Sequence, residues 1–207
     1  MKFLYFGDLH ERSTAPEHRT DDFRLTVNKK IEEIRALGEK HQVRAFLQPG
    51  DFLDKPKVDS EFLSEVVKRW GFSEIQEQAF QLATGEKTNA DLAKGLSGYR
   101  PIVGAIGNHE LYGNALRSYP RTSLALLEEM GFMHLPKKDE PIIFNDPSGF
   151  SVAITAGHYD TKMDDPSMLA VYLVEKKLAD FHIHIVHGYL MNKDMGDLFP
   201  QIGRAHV

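Results

Sequence analysis

Three short apolar segments of this 207-residue chain end in a glycine that precedes residues able to bind a metal ion. They read Gly7-Asp8-Leu9-His10, Gly50-Asp51-Phe52-Leu53-Asp54 and Gly107-Asn108-His109-Glu110. A fourth apolar segment ends in His187-Gly188. In open α/β sheets the carboxyl ends of the strands point into a shared crevice. These four segment ends therefore predict an α/β fold in which their polar side chains converge on one site.

The rest of the chain alternates short apolar runs with longer helical patterns, as α/β folds do. The apolar runs predict strands at residues 2–6, 43–47, 102–106, 142–144, 151–156 and 181–186. Helical spacing predicts helices over residues 20–38, 124–130 and most of 60–94. Thr20 is the expected N-cap of the first helix and Gly38 its expected end, and Gly131 is expected to close the short helix.

Composition narrows the class of protein and of site. Hydrophobic residues make up 42% and charged residues 27% of the chain, which suits one folded domain. No apolar run is long enough to span a membrane, so we expect a cytoplasmic protein. The net charge of −5 does not attract a polyanion by itself. Because there is no cysteine, a metal must be held by imidazole and oxygen ligands.

The spacing of the polar residues predicts a centre for two metal ions. Asp8 and His10 are two residues apart in an extended chain, so they lie on one side and can hold one ion. Asp51 comes from a neighbouring strand, and its carboxylate can bridge two ions roughly 3.5 to 4 Å apart. Asn108 and His187 complete the shell of the second ion. Oxygen and imidazole ligands suit Mn²⁺, with Mg²⁺, Fe and Zn²⁺ left open.

These segments resemble the first four motifs of the calcineurin-like metallophosphoesterases, and the resemblance spans nearly the whole chain. The Gly-Asn-His-Glu sequence is the most specific of them, since a chance match in such a chain is on the order of one in a thousand. Within the family the chain is most similar to the bacterial and phage SbcD-like DNA repair nucleases. That closer likeness rests on residues 1–4, 19–23, 47–52 and 186–190.

The resemblance implies a fold, cofactors and partners. The family fold is a sandwich of two mixed β-sheets flanked by helices, and two Mn²⁺ ions are usual. The implied activity is that of a DNA exonuclease or endonuclease in repair or recombination, which attacks the phosphodiester with a hydroxide activated by the two metals. The implied partners are DNA and an SbcC-like ATPase of the SMC class, with a second copy of the chain also open.

The chain departs from the family pattern at its end. The fifth motif, Gly-His-x-His, is absent after His187. Residues 202–207 read Ile-Gly-Arg-Ala-His-Val, which one reading frame of a common sequencing adapter encodes. We therefore expect a metallophosphoesterase domain over residues 1–201, truncated at its C-terminus, and a non-native tail over 202–207. Because two imidazoles are missing, we expect this chain to bind metal weakly and to have little or no activity.

The remaining polar residues of the motifs receive supporting roles. His109 is the predicted catalytic residue, which stabilises charge at phosphorus or protonates the leaving alkoxide, an effect of roughly 10² to 10⁴-fold. Asp54 and Glu110 are predicted to orient His10 and His109 through hydrogen bonds.

The other histidines are expected to lie outside the site, and four basic residues are candidate DNA contacts. His158 resembles part of the missing motif but precedes His187, so we expect it to have no role in the site. His182 and His184 are expected to share one face of a strand, and His18, His41 and His134 to lie in loops or at the surface. Four basic residues are candidate DNA contacts, with an ordinary solvated loop as the equal alternative: Arg12, Arg19, Lys55 and Lys57.

Two other functions stay open at this point. One is a generic phosphoesterase that acts on nucleotides or phosphoproteins, because the metal core is shared across the family and loops select the substrate. The other is a non-catalytic subunit that docks DNA ends onto an ATPase. The presence of His109 argues against the second, because a scaffold has no need of that imidazole.

Overall fold

The first sheet carries the segments that lead into the site. The computed structural model describes residues 1–7, 9–71, 100–137, 139–161 and 179–188. Within them, a four-stranded sheet has the order β1 (Phe3–Tyr5), β2 (Ala45–Gln48), β3 (Ile102–Gly104) and β4 (Met133–His134). Its described strands are all parallel. The carboxyl ends of β1, β2 and β3 therefore lie at one edge.

A second, three-stranded sheet has the order β5 (Ile142–Asn145), β6 (Ser151–Gly157) and β7 (Phe181–Val186). Strands β5 and β6 are antiparallel, whereas β6 and β7 are parallel. The predicted α/β fold with two sheets and helices is confirmed. Among the described strands, only this second sheet is mixed, and the first is parallel throughout.

The two sheets pack face to face through one apolar layer. Successive side chains of a strand point to opposite faces, so alternate residues of β2 and β3 reach the second sheet. The buried members of this layer are Ala45, Leu47, Val103, Ala105, Phe144, Val152, Ile154, Ala156 and Ile185. This packing fixes the carboxyl end of β7 close to those of β2 and β3.

Helices cover the opposite face of the first sheet. They are α1 (Phe23–Lys40), α2 (Ser60–Arg69) and α3 (Ser123–Glu129), and two short 3-10 helices precede α3, at Tyr112–Asn114 and Leu116–Arg121. Buried side chains in this layer include Ile31, Phe46, Phe62, Val66, Ile102, Leu124 and Leu127. None of the helices that the described residues form is long and apolar enough to cross a bilayer.

Helix α1 differs from the prediction at both ends. Asp22, not Thr20, is the N-cap, and its carboxylate accepts a hydrogen bond from Leu25 N at 3.0 Å. Gly38 lies inside the helix and does not end it. A Cβ at Gly38 would lie 2.5 Å from the Phe46 ring, so this glycine allows the helix to approach β2 closely.

Other predicted elements are found with small shifts, and one was missed. Helix α2 begins where predicted, but residues 72–94 of the predicted helical stretch lie outside the described residues. Gly131 follows α3 with φ +73°, as the predicted stop requires. Strand β4 was not predicted because it has only two residues. It contains His134, which is half-buried rather than loop-like, and burial lowers the pKa of its imidazole.

Candidate metal centre

The loops that follow β1 and β2 are paired by backbone hydrogen bonds. His10 N donates to Asp51 O at 2.9 Å, and Glu11 N donates to Phe52 O at 2.8 Å. Because β1 and β2 are parallel neighbours, these bonds extend their pairing beyond the end of the sheet. His10 and Asp51 are thereby held side by side.

Both of these residues have a left-handed backbone. The φ angle is 45° at His10 and 54° at Asp51. L-residues other than glycine rarely adopt this region, and a residue held there costs of order 1–3 kcal/mol. The surrounding structure holds both residues in this unfavourable conformation, which fixes the positions of their side chains. Such strained residues are typical of functional sites.

The Asp51 carboxylate lies at the centre of the cluster. Its Oδ2 atom is 3.6 Å from His10 Nε2 and 3.4 Å from His187 Nε2. Its Oδ1 atom accepts a hydrogen bond from His109 N at 3.0 Å. The residue is buried, with 5% of its surface exposed. One carboxylate thus contacts imidazoles at the ends of β1 and β7 and a backbone nitrogen at the end of β3.

On one side of Asp51, three acceptor atoms converge. His187 Nδ1 donates to Pro49 O at 3.0 Å, so Nε2 of the neutral ring carries a lone pair. That Nε2 atom is 3.0 Å from Asn108 Oδ1 as well as 3.4 Å from Asp51 Oδ2. In the neutral ring, Nε2 and the two oxygens beside it all offer lone pairs, and a cation among them would offset their repulsion. This donor set fits a divalent metal ion.

On the other side, Asp51 lies with His10 and His109. These three residues each offer one ligand atom, and all of these atoms lie within 4.8 Å of one another. The rings of His10 and His109 meet edge to face with centroids 4.6 Å apart. Asp51 therefore belongs to two groups of side-chain atoms that could hold a metal ion. The predicted ligand Asp8 lies outside the described residues.

Asp54 lies behind the two imidazoles. Its Oδ1 atom is 3.5 Å from His10 Nδ1 and 3.9 Å from His109 Nδ1, and its backbone oxygen is 3.3 Å from His109 Nδ1. The guanidinium of Arg12 donates a hydrogen bond to the same Oδ1 atom. Arg12, a candidate DNA contact from the sequence, is thus ion-paired within the site.

The sequence suggested that Glu110 contacts the ring of His109, but the structure gives Glu110 other partners. It is fully buried, and its two oxygens accept hydrogen bonds from Leu53 N at 3.0 Å and Gly107 N at 2.7 Å. Burial raises the pKa of this carboxyl group to about 7, and the two backbone donors oppose that rise. Glu110 fixes the loops after β2 and β3 to each other rather than orienting an imidazole.

Glycines allow the close approach of these loops. A Cβ at Gly107 would overlap Asp51 Oδ1 and the Asp51 backbone nitrogen. A Cβ at Gly50, where φ is +115°, would lie 2.5 Å from His187 Nδ1. At Gly7, by contrast, the nearest atoms would be at 3.8 and 3.9 Å, an ordinary contact distance. The structure requires glycine at two of the three positions that precede a predicted ligand.

Sequence reasoning missed two buried polar residues that support the site. Gln48 Oε1 accepts a hydrogen bond from Gly50 N at 2.8 Å, and Gln48 Nε2 donates to Gly50 O. Glu11 is 1% exposed and accepts hydrogen bonds from Arg69 at 2.7 Å and Trp70 Nε1 at 3.3 Å. The available signal was a polar side chain beside a motif: Gln48 ends an otherwise apolar strand, and Glu11 directly follows His10.

The remaining histidines are engaged elsewhere. His158 Nδ1 accepts a hydrogen bond from Ile106 N at 3.2 Å. His182 Nε2 and His184 Nδ1 each lie 2.8 Å from Thr155 Oγ1, and both rings are half-buried on one strand face, as the alternation predicts. Arg19, another candidate DNA contact, pairs with Asp21 at 2.8 Å.

His158 makes folding stability depend on pH. Burial, then the nearby His184 and Lys137, lowers the pKa of His158 from 6.5 to about 4. Between these values the unfolded chain binds more protons, so the free energy of unfolding falls on acidification from pH 6.5 to 4, by on the order of 3 kcal/mol. His158→Asn keeps an acceptor for Ile106 N without this titration. Urea denaturation in EDTA should show a smaller loss for the variant, and parallel pH profiles would contradict the assignment.

Comparison with known proteins adds two findings. A family model described as calcineurin-like phosphoesterase matches residues 1–201. A solved structure of a dimetal phosphatase from Danio rerio is 14% identical, covers 74% of this chain and has a TM-score of 0.33. This chain covers 43% of that one, less than half of its length. No curated protein sequence matches the chain significantly.

Proposed function

Because the chain belongs to the calcineurin-like phosphoesterase family, we propose that it hydrolyses phosphodiesters with two divalent metal ions. The observation that carries this proposal is the position of Asp51, whose carboxylate is shared by two groups of ligand atoms. Mn²⁺ is the proposed metal, since the donors are oxygen and imidazole.

The proposed ligands fall into two sets around Asp51. His187 and Asn108 would hold one ion, with the Nε2 atom of His187 presented by the bond from Nδ1 to Pro49 O. His10 and Asp8 would hold the other. Divalent ions bound there would supply Lewis acidity, which neutralises charge at the phosphate and acidifies a water molecule.

His109 is the proposed proton donor to the leaving oxygen. Its Nδ1 atom faces the Asp54 carbonyl at 3.3 Å, which accepts a hydrogen bond when that nitrogen is protonated. When the ring is doubly protonated, the proton on Nε2 is the one that it can give to the leaving oxygen, and the ring is then neutral. The backbone nitrogen of His109 donates a hydrogen bond to Asp51 Oδ1 at 3.0 Å. This bond fixes the position of His109 relative to Asp51, the proposed bridging ligand.

DNA is the proposed substrate, and an SbcD-like nuclease of repair or recombination the proposed role. The support is the sequence likeness around the first, second and fourth motifs, at residues 1–4, 19–23, 47–52 and 186–190. An SbcC-like ATPase and a second copy of the chain are the proposed protein partners. The alternative is a phosphoesterase that acts on nucleotides or phosphoproteins.

Substrate comparison tests this proposal. A gene product that contains residues 1–201 followed by a Gly-His-x-His motif would be assayed with Mn²⁺ on a linear DNA duplex, on bis(4-nitrophenyl) phosphate and on 4-nitrophenyl phosphate. A nuclease releases nucleotides from the duplex and cleaves the diester. Cleavage of the monoester alone, with the duplex intact, would support the alternative and contradict the nuclease proposal.

His109→Ala separates the enzyme from a scaffold that only docks DNA ends. We expect hydrolysis to fall by roughly 10² to 10⁴-fold because the general acid is lost. Binding of DNA should stay near the wild-type value, measured by fluorescence anisotropy in EDTA. Equal rates for both proteins in the duplex assay would exclude the proposed role of this imidazole.

A further inference from the structure

A basic surface adjoins the proposed site. It consists of Lys55 and Lys57, in the segment after Asp54, and Arg117 and Arg121, in the segment after Glu110, all of them exposed. Among the described residues, none of these four side chains has an ion-pair partner, whereas Arg12, Arg24 and Arg69 do.

The two segments are joined at both ends. At the site, His109 Nδ1 lies 3.3 Å from the backbone oxygen of Asp54. At the far end, Ser123 N donates to Pro56 O at 2.7 Å, and Val58 N donates to Ser123 Oγ at 3.0 Å. The segment after Asp54 therefore lies against both the start and the end of the segment after Glu110, and both segments adjoin the proposed cleavage site.

Two carboxylates near the basic surface accept hydrogen bonds from uncharged donors. Asp59 accepts a hydrogen bond from Phe62 N at 2.7 Å as the N-cap of α2, and Glu128 accepts one from Tyr119 OH at 2.6 Å. The stretch from residue 111 to residue 123 contains no acidic residue. Residues 55–58 and 111–123 together hold four basic residues and no acidic one, so these segments are positively charged although the net charge of the chain is −5.

An exposed aromatic ring belongs to the same segment as Arg117 and Arg121. Tyr112 is 43% exposed, and the turn that follows it contains two left-handed residues, Gly113 with φ 57° and Asn114 with φ 56°. Tyr112 N donates to Ser118 Oγ at 2.9 Å, which ties the start of this turn to the second 3-10 helix. Exposed aromatic rings beside cations are typical of surfaces on which nucleic-acid bases stack.

We propose that the basic surface and Tyr112 bind a nucleic-acid strand beside the cleavage site. This inference rests on the proposed function and adds which surface of the chain holds the nucleic-acid strand. Lys57 lies three residues beyond Asp54, a reach of roughly 10 Å along an extended chain. A single diester cannot contact both places, whereas a strand carries one phosphate for every 3.4 Å of helix axis.

Binding experiments in EDTA test this inference without requiring activity. The probe is a fluorescein-labelled single-stranded DNA of 20 nucleotides, and its affinity is measured from 50 to 200 mM NaCl. The test variant replaces Lys55, Lys57, Arg117 and Arg121 with Gln. The control variant replaces Lys2, Lys29, Lys30 and Lys40 with Gln, exposed lysines at the chain start and on α1, so that the change in net charge is the same. The doubles K55Q/K57Q and R117Q/R121Q serve if the quadruple variant fails to fold.

We expect the test variant to lose at least about 10-fold in affinity and the log–log salt slope to fall by about 3, because each contact to a single strand contributes about 0.7. The control variant should stay within about threefold of wild type. Tyr112→Ala should lower affinity by about fivefold or more with the salt slope unchanged. Equal losses in test and control variants, no loss in either, or no binding by wild type would overturn the inference. The Mn²⁺ assays on small diesters would still judge the proposed function separately.

Discussion

Asp51→Asn is expected to lower Mn²⁺-dependent phosphodiester hydrolysis by about 10³-fold or more, equivalent to about 4 kcal/mol of transition-state stabilisation. The reason is the position of this carboxylate, with Oδ2 at 3.6 Å from His10 Nε2 and 3.4 Å from His187 Nε2. An amide has no charge to share between two cations. The measurement is the initial rate on bis(4-nitrophenyl) phosphate of the gene product that also contains a Gly-His-x-His motif, with metal affinity from isothermal titration.

The same substitution should leave the fold intact in the absence of metal. The Oδ1 atom of an asparagine can still accept the hydrogen bond from His109 N that Asp51 accepts at 3.0 Å. Wild type should gain thermal stability on addition of Mn²⁺, because an ion that binds only the folded chain stabilises it, and the variant should gain little. Retained activity or an equal thermal shift would exclude Asp51 as the shared ligand.

Asp146→Asn is the matched control. Asp146 lies in the turn between β5 and β6, at the end of β6 opposite the site, and its Oδ1 atom accepts a hydrogen bond from Ser148 N at 2.8 Å. Asparagine can make the same bond. The hydrolysis rate of Asp146→Asn and its thermal shift with Mn²⁺ should match those of wild type. A loss seen only in Asp51→Asn is then caused by the changed charge at the site and not by the removal of an aspartate as such.

The sequence was sufficient to predict six of the seven described strands and the edge at which the candidate site lies, for a physical reason. Parallel strands need apolar side chains on both faces, so the strand ends are visible as short apolar runs that stop at a glycine. Residues such as Asp51 and Asn108 follow those stops directly. Their convergence depends on topology alone, and their role as metal ligands stays a prediction.

Contacts between distant segments were not predictable in the same way. Gly38 has the local sequence of a helix end, yet it lies inside α1 because the Phe46 ring of β2 packs against it. Glu110 adjoins His109 in sequence, yet its two oxygens accept backbone N–H groups of Leu53 and Gly107. Single-sequence patterns describe neighbours along the chain, and these partners are known only once the strands are assembled.

The glycines that precede the predicted ligands differ in how closely other residues approach them. All three looked equivalent in sequence, because each precedes a predicted ligand. Gly107→Ala should lower the free energy of unfolding by about 1–3 kcal/mol and the Mn²⁺ affinity by about 10 to 100-fold. The added Cβ would overlap the backbone nitrogen of Asp51 and lie 2.7 Å from its Cγ. A backbone atom cannot avoid this clash by changing rotamer, so the loops after β2 and β3 must separate.

Gly7→Ala provides the control, because its Cβ would meet only the Tyr5 hydroxyl at 3.8 Å and Pro49 Cγ at 3.9 Å. Its stability and metal affinity should stay close to those of wild type. Urea denaturation in EDTA measures the steric cost, and isothermal titration with Mn²⁺ measures the displacement of Asp51. If both alanine variants bound Mn²⁺ equally well, close contact between the loops after β2 and β3 would not be what holds Asp51 in place, and the shared position of its carboxylate would need another cause.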